Sequence, residues 1–155
     1  MSLSLDKRAS DLWARASRFR SRGEIFGACI DYAELSKLLD VMSISAKAKW
    51  ESEFASIRLD DHEVERLRDG AELAGEKLWR VVSHSSNLLD EEVLLIISEL
   101  RALSAVTDFA IKCFGVPLTS LLNKIEEEVR DLKTDQKIRR AFERCEATIQ
   151  RNSRI

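Results

Sequence analysis

Apolar side chains recur every three or four positions along most of this chain, and the rhythm holds nearly from end to end. That spacing gathers them on one side of an α-helix, whereas strands would alternate them in twos. Leu5, Ala9, Leu12, Ala16 and Phe19 define a first helix over 5–22, with Trp13 at the margin of its apolar arc. Gly23 is placed to end it, because glycine takes the left-handed cap conformation cheaply. Ile25, Cys29, Tyr32, Leu35, Leu39 and Met42 carry a second helix over 24–42. Ser43 or Ser45 caps a third, whose Ala46, Trp50, Phe54 and Ile57 keep the period.

The fourth helix has the most explicit local signal. Asp60 and Glu63 form a capping box, and Leu59 with Val64 forms a hydrophobic staple around it. Val64, Leu67, Ala71, Ala74, Leu78 and Val81 then follow a heptad, flanked by Gly70 and Gly75, which predicts close approach by a neighbouring helix. His84 to Asn87 is a polar break. Asp90 is expected to cap a fifth helix reaching Phe114, with Leu89 and Leu94 as its staple. Apolar residues surround this segment on several sides, from Val93 to Phe114, so it is expected to lie at the centre of the core or to bury a face against a second copy. Gly115, Val116 and Pro117 predict a stop and a restart, with the proline, the only one in the chain, in the first turn of a sixth helix from Leu118 to Leu132. Past Lys133 the stripe resumes out of phase as Ile138, Phe142, Cys145 and Ile149, implying a break near Thr134 and Asp135.

These elements predict an all-α fold, a single antiparallel bundle of six or seven helices with short connections. One helical domain spans 1–155, with 150–155 a fraying tail. The length of 155 residues suits one core, and no repeat or domain linker divides it. The longest purely apolar run is five residues, Val93 to Ile97, against roughly 20 needed to cross a bilayer. No membrane association and a cytoplasmic setting are therefore expected. Cys29, Cys113 and Cys145 are odd in number, scattered, and set in apolar patterns, which predicts buried free thiols rather than disulfides or a zinc site.

Net charge is −2, but its distribution is uneven. Residues 1–22 and 133–155 are each net +4, while 23–132 are net −10. Either the basic ends lie on the acidic middle, or they present surfaces to an anionic ligand. Arg8, Arg15 and Arg22 are seven apart and, with Arg18, form the candidate anionic-ligand surface.

Complete catalytic patterns are missing from the sequence. Neither histidine sits in a Glu-x-x-His or zincin arrangement, no glycine-rich phosphate loop occurs, and no nucleophile elbow is found. No cofactor or metal is expected. One polar candidate stands out, Arg80 and His84, which share a helix face four positions apart. There an arginine can hold a phosphate and a histidine can move a proton. The pair faintly resembles the Arg…His signature of the helical HEPN ribonucleases, although that pattern has four to six intervening residues where this chain has three, and Val81 stands where a polar residue is usual. The resemblance implies RNA cleavage by Arg80 and His84.

Two functions follow as expectations. The first is a non-enzymatic protein–protein interaction or assembly module that associates with itself, most simply as a homodimer, with Trp13, Trp50 and Trp79 at the margin of core and interface. The alternative is a nucleic-acid-associated regulator or HEPN-like ribonuclease that uses the basic first helix with Arg80 and His84.

Overall fold

The computed structural model describes residues 2–83, 88–119 and 121–153. The fold is all-α, with seven α-helices and no strand among those residues. The helices are α1 (Ser2–Ser21), α2 (Ile25–Leu38), α3 (Ile44–Ala55), α4 (Asp61–Ser83), α5 (Asp90–Phe114), α6 (Leu121–Leu132) and α7 (Gln136–Ser153). A 3-10 turn, Leu39–Val41, separates α2 from α3. The contacts resolve into two compact units, Met1–Ala71 with Ala105–Leu118, and Glu72–Ser104 with Thr119–Ile155. Two of the three divisions fall inside α4 and α5, and the third lies between Leu118 and Thr119, ahead of α6.

Helix ends follow local chemistry. Gly23 adopts φ of 77° just past α1, and the amides of Gly23 and Glu24 donate to the carbonyls of Arg20 and Phe19 at 3.0 and 2.9 Å. These two bonds are the Schellman pair, which closes the open carbonyls of the last turn. Ser43 caps α3 through Oγ, which accepts from the Ala46 amide at 3.3 Å. The capping box of α4 is formed in both directions. The Glu63 amide donates to Asp60 Oδ1 at 2.8 Å, and the Asp60 amide donates to Glu63 Oε1 at 3.2 Å. Asp135 caps α7, accepting from the amides of Lys137 and Ile138 at 2.9 and 3.2 Å, so the phase jump near Thr134 is a true break.

Four boundaries differ from the sequence reading. The second helix ends at Leu38 rather than Met42, where the 3-10 turn takes over. Leu89, not Asp90, occupies the N-cap of α5: its carbonyl accepts from the Val93 amide, and Glu92 reaches back to its own amide at 3.3 Å. Leu89 is exposed, so it makes no buried staple, and the Asp90 carboxylate is free for another partner. Pro117 lies in the irregular stretch after Phe114, and α6 starts at Leu121, where the Thr119 hydroxyl accepts from the Leu121 amide at 3.1 Å. Leu118 is nevertheless buried. Finally, α7 continues through Ser153, so 150–153 are helical rather than frayed.

The core of the first unit is aromatic. Trp13 of α1 packs against Tyr32, Trp50 and Phe54 at centroid distances of 5.3, 5.7 and 5.8 Å, and Phe109 of α5 meets Tyr32 at 6.0 Å and Phe54 at 5.3 Å. Four helices thus share one ring cluster, in which the pairs are tilted or edge-on except for the stacked Tyr32 and Phe109. Gly70 allows α2 to come close, since a β-carbon there would sit 2.6 Å from Phe26 Cβ.

In the second unit the core is mainly aliphatic. Leu78 and Val82, Val93 and Ile96, Ile125 and Val129, and Phe142 are buried on α4, α5, α6 and α7 respectively. On α4 the buried set ends at Val82 rather than Val81. A straight helix of 3.6 residues per turn drifts away from a strict heptad, and the drift accounts for the shift.

Burial bears on two further expectations. α5 is not enclosed all round, because Leu95 and Ile111 are exposed. Of the three free cysteines, Cys29 and Cys145 are buried, but Cys113 is exposed in the last turn of α5, beside a surface cleft.

Candidate functional site

The arginines of α1 do not form one free stripe. Arg15 donates through Nε and Nη2 to both carboxylate oxygens of Asp31 on α2, at 2.8 and 2.7 Å. The fork is matched to a carboxylate in this geometry, which makes the pair bidentate. Asp31 is one of two buried polar or charged residues among those described, its side chain 3% exposed, while that of Arg15 is 53% exposed. Asp31 raises the Arg15 pKa, first through this hydrogen bond and then through its charge. Two turns earlier in α1, Arg8 Nη2 meets Glu34 at 2.8 Å, with both groups in water. Arg18 and Arg22 have no ion pair among the described residues. The groove along this face, about 670 Å³, is lined by Lys7, Arg8, Arg15 and Arg18 against Asp11 and Glu34.

Arg20, outside the predicted stripe, makes the other strong contact. It points toward the start of α4, where Nε and Nη2 donate to Glu63 at 2.8 and 3.1 Å and Nη2 also reaches the Arg58 carbonyl. Glu63 therefore serves two partners, its own capping box and α1. The Arg20 hydrogen bond is the main reason its pKa is lowered, against the opposing effect of burial. The missed signal was one of phase: Arg20 lies on a different side of α1 from Arg8 and Arg15.

The polar pair is only half visible. Arg80 is exposed in the last turn of α4, whereas His84 lies outside the described residues. No group of three or more His, Cys, Asp or Glu is placed to hold a metal ion among the described residues. Every buried side-chain nitrogen or oxygen there has a hydrogen-bond partner. Burial drives the Cys29 thiol pKa up to about 12, and partial desolvation of the sulfur raises that of the exposed Cys113 as well, so neither resembles an activated nucleophile. Among the described residues no helix is long and apolar enough to cross a membrane.

Apolar exposure is concentrated in fewer places. Leu73, Leu89 and Leu95 are exposed in the second unit; Val41, Ile44 and Ile111 are exposed in the first. Val41 and Ile44 are 66% and 89% exposed and bracket the corner between the 3-10 turn and α3. Beside that corner lies a cleft of about 480 Å³, whose apolar lining comes from Leu39, Phe54, Ala55 and Cys113. Asp40, Lys47, Glu51 and Lys112 supply its charges. Ile44, Lys47, Glu51 and Ala55 repeat at three and four along α3 and share one helix face, opposite in character to the buried Trp50 and Phe54. The sequence signal for this edge is an isoleucine at the first position of a helix, out of phase with the apolar stripe.

No protein-family model, curated protein or solved structure matches this chain.

Proposed function

We propose that the chain is a non-enzymatic helical interaction module of a cytoplasmic setting, and that it works by associating with itself. The observation that carries this reading is on α5. Its sequence is the most apolar of the long helices, yet Leu95 and Ile111 stand in water on it. A single exposed leucine is ordinary on a protein surface. A helix with apolar residues on several sides is different, because covering those residues is worth about 25 cal/mol for each Å² removed from water. A second chain supplies that cover.

The alternative, nucleic-acid contact or RNA cleavage, depends on Arg8, Arg15, Arg18 and Arg22 and on Arg80 with His84. Arg8 and Arg15 already face carboxylates of α2. No observation favours that alternative over the first reading.

Size-exclusion chromatography with light scattering at micromolar protein tests the proposal. The expected result is a particle of at least twice the 17.7 kDa chain mass. A strict monomer across the concentration range would refute it.

A further inference from the structure

We infer that the edge of the first unit formed by the 3-10 turn, the outer face of α3 and the last turn of α5 docks against the same edge of a second copy of this chain. The inference rests on the self-association proposed above and adds its location and symmetry.

Val41 and Ile44 project from the stretch between Asp40 and Lys47, and both of those residues line the cleft. Ile44 also shares a face of α3 with Lys47, Glu51 and Ala55, all three of them cleft residues. The aliphatic knob and the apolar-lined cleft therefore belong to one continuous surface. A two-fold axis beside such a surface places each knob in the opposite cleft, since contacts across an isologous interface are made twice.

Charge suits a second copy of this chain as the occupant. A surface that meets its own image must balance its signs, because an excess of either repels itself. The cleft carries Asp40 and Glu51 against Lys47 and Lys112, two of each sign. Its internal pair is loose, with Lys47 Nζ 4.0 Å from Glu51, so these groups are available to a partner. The groove on α1 is the counterexample. Its lining carries four cations and two carboxylates, an excess of one sign that would oppose its own image.

Cys113 offers a direct readout. It lines the cleft and is exposed, while Cys29 and Cys145 are buried, so a maleimide added to the native protein reports on the cleft. Dimerisation is expected to slow Cys113 labelling as protein concentration rises. Ile44→Glu changes a residue already in water and should leave the helical circular-dichroism signal intact. It is expected to raise the dimer dissociation constant about a hundredfold, counting the substitution once on each side. Labelling of that variant should no longer depend on concentration. Two charge variants complete the test, Lys47→Glu with Lys112→Glu, and Asp40→Lys with Glu51→Lys. Each alone should be monomeric, and an equal mixture should form a dimer.

A wild-type dimer whose mass and labelling are untouched by Ile44→Glu overturns this surface and leaves self-association standing. Charge variants that fail to pair on mixing overturn the two-fold match of charges. A monomer at every concentration overturns both this inference and the proposal beneath it.

Discussion

The two basic ends of the chain look alike in sequence and differ in structure. Each is net +4. At the amino end, Arg15 and Arg20 reach carboxylates that are buried or partly buried, Asp31 and Glu63. At the carboxyl end, Arg144 meets Asp90 at 2.9 Å, but the side chains are 60% and 54% exposed. Distances are similar in the two regions, so length does not separate them. Burial of the acid does. A carboxylate withdrawn from water depends on its guanidinium, whereas one left in water can exchange its partner for solvent at little cost.

The largest effect should come from removing the partner of Asp31. Breaking a fully buried pair costs 3–5 kcal/mol by leaving one charge stranded. Because Arg15 is 53% exposed, water reaches its end of the pair and the cost falls to about 2 kcal/mol. Arg15→Met should therefore lower the thermal midpoint by about 4–8 °C, as befits a chain of this size. Combining it with Asp31→Leu should recover most of the loss, since no charge is then stranded. Calorimetry on the two variants decides the point: an undisturbed midpoint in Arg15→Met would erase the contrast between the two ends.

Glu63 tests the same contrast by pH. Its folded pKa is lowered from an ordinary value of 4.5, chiefly by Arg20. The unfolded chain then binds the proton more readily than the folded one, so the contribution of Glu63 is complete above the ordinary value. It disappears as pH falls through the lowered folded value. Glu63→Gln should destabilise the protein at neutral pH by about 1 kcal/mol, as for a charge-assisted hydrogen bond that water partly screens. It should also flatten the acid limb of the stability curve. Urea midpoints measured from pH 7 down to 3 show this as a gap between wild type and variant that closes on acidification.

Features set within a few residues were legible in the sequence. The Asp60 and Glu63 capping box, the Gly23 stop and the break at Asp135 each depend on spacing that a single strand of text displays. What failed to show depends on partners far along the chain. Arg20 finds Glu63 across 43 residues, and although its phase sets it on another side of α1 from the Arg8 and Arg15 stripe, nothing local to α1 names the acid it meets. Asp31 appears as an acid among apolar neighbours, and its burial makes sense only once Arg15 lies against α2. The exposed edge of α3 was hidden for a related reason. Helical period sorts side chains into faces, but it does not say which face finds a neighbour. Ile44 is apolar and uncovered; its phase sets it apart from the Trp50 and Phe54 stripe, but phase alone does not say whether another element covers it.

The smallest effect is expected at the carboxyl end, and it is informative because it is small. Arg144 donates to both oxygens of Asp90, at 2.9 and 3.4 Å, in nearly the same arrangement that Arg15 uses on Asp31. Asp90 sits at the first turn of α5, where helix dipole and free amides stabilise its charge without help from Arg144. The Cys145 thiol approaches the Asp90 carbonyl at 3.5 Å and keeps α7 beside this turn even when the guanidinium is gone. Arg144→Ala should therefore unfold at the wild-type midpoint within measurement error, in low salt as well as high. If it instead falls as far as Arg15→Met does, burial of the carboxylate is not what divides the two ends, and the resemblance seen in their sequences would extend to their energetics.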